Sequence, residues 1–273
     1  MCKTCGCSDP ELVPVEVRES LLADNDETAG HNRDHFAAGG VLAINLMGSP
    51  GSGKTAVLEA TARAAASAGR GWRLGAFSGD LATDHDARRL EAAGIPSRAI
   101  TTGSACHLDA GLVHRTLHHF PWRDLDLLFI ENVGNLVCPA VYDLGQAANV
   151  IALAVTEGED KPLKYPVMFR KADLVLLTKI DLLPHLPMVR VEAIEDALAR
   201  TMPGAAMIPV SALTGEGIDR WLAWLEARRA AFVGGAAEGV AAAQAHDHEH
   251  RHLGLEASLG ERRPPTGTTM GTA

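Results

Sequence analysis

The chain has 273 residues, 47% of them hydrophobic, and a net charge of −9, which allows one large α/β domain with tails and at most two domains. So acidic a chain has no basic footprint for nucleic acid, and no apolar run reaches the ~18 residues of a membrane span. Aromatics are only 4%, so the core must be Ala, Val, Leu and Ile.

The opening stretch, MCKTCGCSDPELVPVE, lacks the charged and apolar regions of a secretory signal, and a cytoplasmic location is expected. Residues 1–38 read as a weakly structured segment and linker. They hold Cys2, Cys5 and Cys7 in the pattern C-x-x-C-G-C, three of the chain's five cysteines. An odd count without an export signal argues against a disulfide framework. Three thiolates so close can surround one ion, square-planar for Ni²⁺ or tetrahedral for Zn²⁺. A redox-active pair is the alternative.

The compact domain is expected over 39–233. Its first strand is Val41–Met47. The loop Gly48-Ser49-Pro50-Gly51-Ser52-Gly53-Lys54-Thr55 follows and reads G-x-x-x-x-G-K-[ST], the P-loop. Glycines turn backbone N–H groups toward a phosphate, Lys54 reaches the β- and γ-phosphates, and Thr55 offers its hydroxyl to Mg²⁺. The helix expected over Lys54–Ala68 aims its positive end at the same anion.

A strand over Arg73–Ser78 leads to Asp80, then a helix over Asp84–Ala93 and a short strand over Arg98–Thr101. Cys106 and His107 come next, before a helix over Leu108–Phe120 whose His114, His118 and His119 read as surface residues. The apolar strand Leu125–Ile130 ends in Glu131-Asn132-Val133-Gly134, and Cys138 lies four residues beyond. Asp80 is assigned to Mg²⁺ or water positioning, and Glu131 to Mg²⁺ through water. Spacing alone leaves open whether Cys106, His107 and Cys138 are ligands or the cysteines are buried small hydrophobes. If ligands, three per chain leave a site that a symmetric dimer would complete.

Strands are expected over Val150–Val155, Leu174–Leu177 and Ala206–Pro209, with helices over Val189–Arg200 and Ile218–Phe232. Thr178-Lys179-Ile180-Asp181 resembles the N-K-x-D base-recognition motif of GTPases. Asp181 can accept from guanine N1–H and the 2-amino group together, whereas adenine would leave it unpaired. Lys179 can lie along the base. Ser211-Ala212-Leu213 resembles the loop that offers a backbone N–H to the guanine oxygen. Thr178 stands where Asn is usual, with a shorter reach.

Continuous apolar strands alternating with helices imply a doubly wound, mostly parallel sheet covered on both faces, the P-loop NTPase class of α/β fold. From 234 to 273 the composition cannot bury a core, and a disordered tail is expected. His246, His248, His250 and His252 in that tail are spaced for modest metal binding.

Together GSPGSGKT, TTGSACHLDA, LLFIENVGNLVCPA, VTEGEDKPLKYPVMFRKADLVLLTKIDLLPH and the cysteine motif resemble the nickel-incorporation GTPases of hydrogenase maturation, the HypB family. The resemblance implies a GTPase using GTP and Mg²⁺, dimerising on nucleotide, that helps deliver Ni²⁺ to the large subunit of [NiFe]-hydrogenase with other nickel-delivery accessory proteins. It implies a tight nickel site at Cys2, Cys5 and Cys7 and a weaker nickel or zinc site at Cys106, His107 and Cys138. A nickel or zinc store with a regulatory nucleotide site is the alternative. The urease-type nickel GTPases differ in the cysteine motif and in having His after the Pro that corresponds to Pro139.

Overall fold

The computed structural model describes residues 15–80, 83–103, 105–204 and 206–235, with side chains from residue 22 onward. Cys2, Cys5, Cys7 and the histidines of the C-terminal tail lie outside the described residues. Contacts divide the chain after Val233, and every described strand belongs to the first unit.

Seven strands form one parallel sheet in the order β3-β2-β4-β1-β5-β6-β7. They are β1 Leu42–Met47, β2 Leu74–Asp80, β3 Ser97–Thr101, β4 Leu127–Glu131, β5 Ala148–Ala154, β6 Leu174–Thr178 and β7 Ala206–Pro209. The expected strands are present with ends shifted by a residue or two. Successive side chains of a strand serve opposite faces. Leu42, Ile44 and Leu46 of β1 face helix α2, Lys54–Ser67, and the helix at 218–235. Val41 and Ala43 pack on the other side with Phe36, Val113 and Trp122. Burial on both faces explains why these runs are apolar without alternation.

The remaining described α-helices are α1 Val15–Gly39, α3 His85–Ala92, α4 Ala110–Leu117, α5 Lys161–Lys164, α6 Pro166–Arg170 and α7 Val191–Thr201. α1 corrects the expectation of a weakly structured segment through residue 38. Its inward positions are Leu22, Asn25, Ala29, Asn32 and Phe36, at alternating spacings of three and four. That is a helical stripe, but two of its members are Asn, so the apolar pattern misses it. Asn25 Nδ2 donates to Asp143 O at 2.9 Å, and its Oδ1 accepts from Ala110 N at 2.9 Å. Asn32 Nδ2 donates to Ala110 O at 3.0 Å and Leu144 O at 3.1 Å. The amides satisfy backbone groups at the start of α4 and in the loop before β5, as buried polar groups require. The domain therefore takes in α1, upstream of the start expected near Gly39.

α4 is shorter than the helix expected over Leu108–Phe120. Asp109 caps it, accepting from Leu112 N at 2.7 Å, which leaves Cys106 and His107 in the preceding connection. Among the described residues, no helix is long and apolar enough to cross a membrane.

Candidate functional site

The P-loop joins β1, at the centre of the sheet, to α2. Ligands in such folds bind at the carboxyl ends of the strands, and a cavity of about 470 Å³ lies there. Gly51, Gly53, Lys54, Thr55, Asp80, Glu131, Gly134 and Lys179 line it. Gly48 could not be replaced without distortion. A β-carbon there would come within 2.4 Å of Ala152 O, and its φ is +148°.

Lys54 Nζ donates to Gly48 O at 3.2 Å and Ser49 O at 3.1 Å. An ammonium has three donors, so the third remains for a ligand oxygen. Burial lowers the Lys54 pKa, and the nearby carboxylates of Glu131, Asp86 and Glu157 oppose that shift. Ser49 Oγ donates to Glu157 Oε2 at 2.5 Å, tying the loop to the end of β5.

Glu131 ends β4 and is only 3% exposed. Its Oε1 accepts from Thr55 Oγ1 at 2.7 Å. Its Oε2 is buried with no hydrogen-bond partner among the described residues. Burial pushes its pKa up to about 7, against the pull of Lys54 and the Thr55 hydrogen bond. A buried carboxylate oxygen without a partner costs free energy. A cation near Thr55 and Glu131 would remove that cost, so these two residues fit Mg²⁺.

Asp80 Oδ1 accepts from Thr83 N at 3.0 Å. Asp86 and Arg89 of α3 also line the cavity, and sequence reasoning did not single them out. Glu59 holds Arg89 in a bidentate pair, both contacts at 3.0 Å. Charge in an amphipathic helix gave no signal for either.

Asp181, Ser211 and Ala212 do not line this cavity. They form a neighbouring group in which Ser211 Oγ donates to Asp181 Oδ1 at 2.6 Å and accepts from Thr214 N at 3.1 Å. Lys179 is the one non-glycine residue with positive φ among the described residues, at 61°. Thr178 Oγ1 donates to Ser52 O at 2.6 Å, so the short side chain still reaches the P-loop.

The loop after β4 bears directly on the P-loop. Gly48 pairs with Asn135 in an isolated antiparallel bridge, and Cys138 follows three residues later in a short 3₁₀ turn, Cys138–Ala140. Cys106 Sγ and Cys138 Sγ are 3.0 Å apart. Cys106 Sγ is 4.0 Å from His107 Nδ1, and the three ligand atoms all lie within 4.8 Å of one another. Two thiols and an imidazole are a donor set for a borderline divalent ion. His107 is buried and stacks on Tyr142 with ring centroids 3.9 Å apart. Burial lowers its pKa, which favours the neutral, ligating imidazole.

Asn132, buried at 1% exposure, ties both sites together. Its Nδ2 donates to Asn45 Oδ1 at 3.1 Å, and its Oδ1 accepts from Leu108 N at 3.1 Å. Asn45 Nδ2 in turn donates to Asn149 Oδ1 at 3.1 Å. Asn132 stood in the E-N-V-G motif without an assigned role.

The family described as CobW/HypB/UreG, nucleotide-binding domain, matches residues 42–209. The hydrogenase maturation factor HypB of Azotobacter chroococcum is 50% identical over 226 residues, 83% of this chain and 72% of that protein. The Escherichia coli K12 protein of the same name is 45% identical over 227 residues, 83% and 76% of the two chains. Among solved structures, Helicobacter pylori HypB in complex with nickel aligns with a TM-score of 0.71 at 35% identity, covering 76% of this chain and 95% of that one. HypB from Archaeoglobus fulgidus aligns with a TM-score of 0.70 at 38% identity, covering 76% and 100%. The nucleotide loop, the cysteine–histidine cluster and these likenesses agree: the chain belongs to the HypB hydrogenase maturation factors of the CobW/HypB/UreG family.

Proposed function

We propose that this chain hydrolyses GTP to GDP and phosphate and uses that cycle to hold and release Ni²⁺ at Cys106, His107 and Cys138 during maturation of [NiFe]-hydrogenase. The observation that carries the reading is the run of contacts from nucleotide loop to metal ligand. Asn135 is bridged to Gly48, and Cys138 hangs from the same short segment. A change in that loop moves one thiolate relative to the other, a bistable element biased by the nucleotide. The nickel-bound H. pylori relative supports Ni²⁺ as the cargo. Zn²⁺ has the same donor preferences and is the competing ion.

Each site residue then has a task. Backbone N–H groups of the loop Gly48, Ser49, Gly51, Ser52 and Gly53 cradle the phosphates, and Lys54 bridges the β- and γ-phosphates. Thr55 and Glu131 would hold Mg²⁺ when it binds, the hydroxyl as a direct ligand and the carboxylate through water. Mg²⁺ supplies charge compensation for the leaving phosphate. Asp80 positions water or the ion's hydration shell. Asp181, oriented by the Ser211 hydroxyl, reads guanine, with Lys179 along the base and the backbone at Ala212 near its oxygen. Cys2, Cys5 and Cys7 form the tighter nickel site. Three ligands per chain leave the Cys106 site short of four, and a homodimer formed on nucleotide or metal binding completes it. The hydrogenase large subunit and other nickel-delivery accessory proteins, all cytoplasmic, are the expected partners.

The test is the Ni²⁺ affinity of the Cys106, His107 and Cys138 site, measured with GDP and with a non-hydrolysable GTP analogue. A difference of at least fivefold is expected, the smallest coupling usually called allosteric. Equal affinities would remove the coupling.

A further inference from the structure

We propose that His114, in α4, and His118, at its C-terminal cap, form a second seat for a borderline divalent transition ion, separate from Cys106, His107 and Cys138. The two residues are four apart on one helix, so their side chains lie one above the other. Their Nε2 atoms are 3.4 Å apart. Two imidazole nitrogens bound to one tetrahedral ion at about 2.05 Å stand about 3.4 Å from each other. His118 Nε2–H donates to His114 Nε2 across that gap, and an ion taking the place of the shared proton would bind at nearly the same spacing.

The ring of His114 is set for this by its other nitrogen. Asn32 uses its amide nitrogen on two backbone carbonyls, Ala110 O and Leu144 O. That fixes which end of the amide is oxygen. Oδ1 faces His114 Nδ1 at 2.8 Å, so Nδ1 must carry the hydrogen and donate it. The lone pair of the neutral ring is then on Nε2, the atom facing His118. Ligating histidines are commonly held in this way, with the far nitrogen anchored to a carbonyl. Asn32 is fully buried, so the anchor does not wander.

The surroundings keep the ring neutral. His35 of α1 stacks on His114 with centroids 5.6 Å apart and an interplanar angle of 20°. Burial lowers the His114 pKa, and the neighbouring imidazoles His118, His35 and His31 lower it further. His118 is exposed, so water can complete the coordination, and the seat binds less tightly than the thiolate cluster. His119, also exposed, has no such partner geometry and serves as the control.

The experiment follows the imidazole nitrogens of the full chain by NMR while Zn²⁺ alone is added past the amount that saturates the cysteines. The His114 and His118 signals are expected to shift together. His118→Ala is expected to abolish the shift at His114 and to weaken this binding step at least tenfold. His119→Ala is expected to leave it unchanged. His118 lies at the surface, so its replacement leaves the core intact. The proposal is overturned by a His114 signal that ignores Zn²⁺, by one that still shifts in His118→Ala, or by equal effects of the two substitutions.

Discussion

Gly134 lies against Pro50 so closely that a β-carbon on it would stand 2.8 Å from Pro50 N and 2.9 Å from Pro50 Cα. The neighbour is backbone, not the tip of a flexible side chain, so nothing yields cheaply. This contact presses the loop after β4 onto the nucleotide loop.

Gly134→Ala therefore forces the two loops apart. A loss of about 1–3 kcal/mol in stability is expected, with kcat for GTP hydrolysis falling at least tenfold. Metal affinity should lose most of its dependence on the bound nucleotide, because Cys138 hangs from the displaced loop. Stopped-flow hydrolysis and a metal titration check the two halves. Unchanged hydrolysis would contradict the coupling.

Glu131 gives a pH signature. Its folded pKa is raised to about 7 by burial, above the ordinary carboxylate value it has when unfolded. The folded state therefore binds the proton more tightly. The stabilisation is fully present below the unfolded pKa and is lost as pH rises to about 7, with no further change above. Without nucleotide or Mg²⁺, Glu131→Gln should be more stable than the parent at pH 8 by about 3 kcal/mol. The gap should close as pH falls toward the ordinary carboxylate range. Urea denaturation across pH measures it, and parallel curves would refute the assignment. Mg²⁺ affinity of the parent should rise with pH up to about 7, as the carboxylate ionises.

Asp181→Asn converts an acceptor into a group that can also donate. GTP affinity should fall at least about 100-fold, since the guanine donors lose their carboxylate. Xanthosine triphosphate, which presents a carbonyl where guanine has its amine, should gain. Competition against a fluorescent guanine nucleotide reports both. Retained GTP affinity would mean that Asp181 does not read the base.

Asn32→Ala leaves Ala110 O and Leu144 O buried without their donor. A destabilisation of about 2–3 kcal/mol is expected. Phe36→Ala, which empties the place packed edge-on against Trp122, should cost about 3–5 kcal/mol. An unchanged urea midpoint in both would show that α1 is not part of the domain.

The strands and the P-loop were legible because each is a local pattern. Continuous apolar runs mark a sheet buried on both faces, and a glycine-rich loop needs only its own residues. α1 was not legible, because Asn25 and Asn32 occupy inward positions where pattern reading asks for apolar side chains. Asn45, Asn132 and Asn149 were hidden for the same reason. Asn45 looks like an interruption of a strand, and Asn132 and Asn149 like polar residues at strand ends, until partners 87 and 104 residues away close the hydrogen bonds. Thr178 looked like a weakened base-recognition residue, and the structure shows its hydroxyl on the P-loop carbonyl of Ser52. Cys106 and Cys138 could be proposed as ligands, but a separation of 32 positions in sequence gave no distance. The sheet order supplied it.

The two thiols of the metal site are tethered unequally. Cys106 stands beside Leu108, whose backbone is pinned to the buried Asn132. Cys138 trails from Asn135, which is bridged to Gly48 at the mouth of the nucleotide loop and accepts from Val137 N at 2.8 Å. If the nucleotide shifts that loop as proposed, the pair would act as a vice whose sliding jaw is Cys138. Charge-transfer absorption from thiolate to Ni²⁺ depends on the gap between them, so under the proposed coupling the colour of the nickel-loaded protein would report which nucleotide it carries.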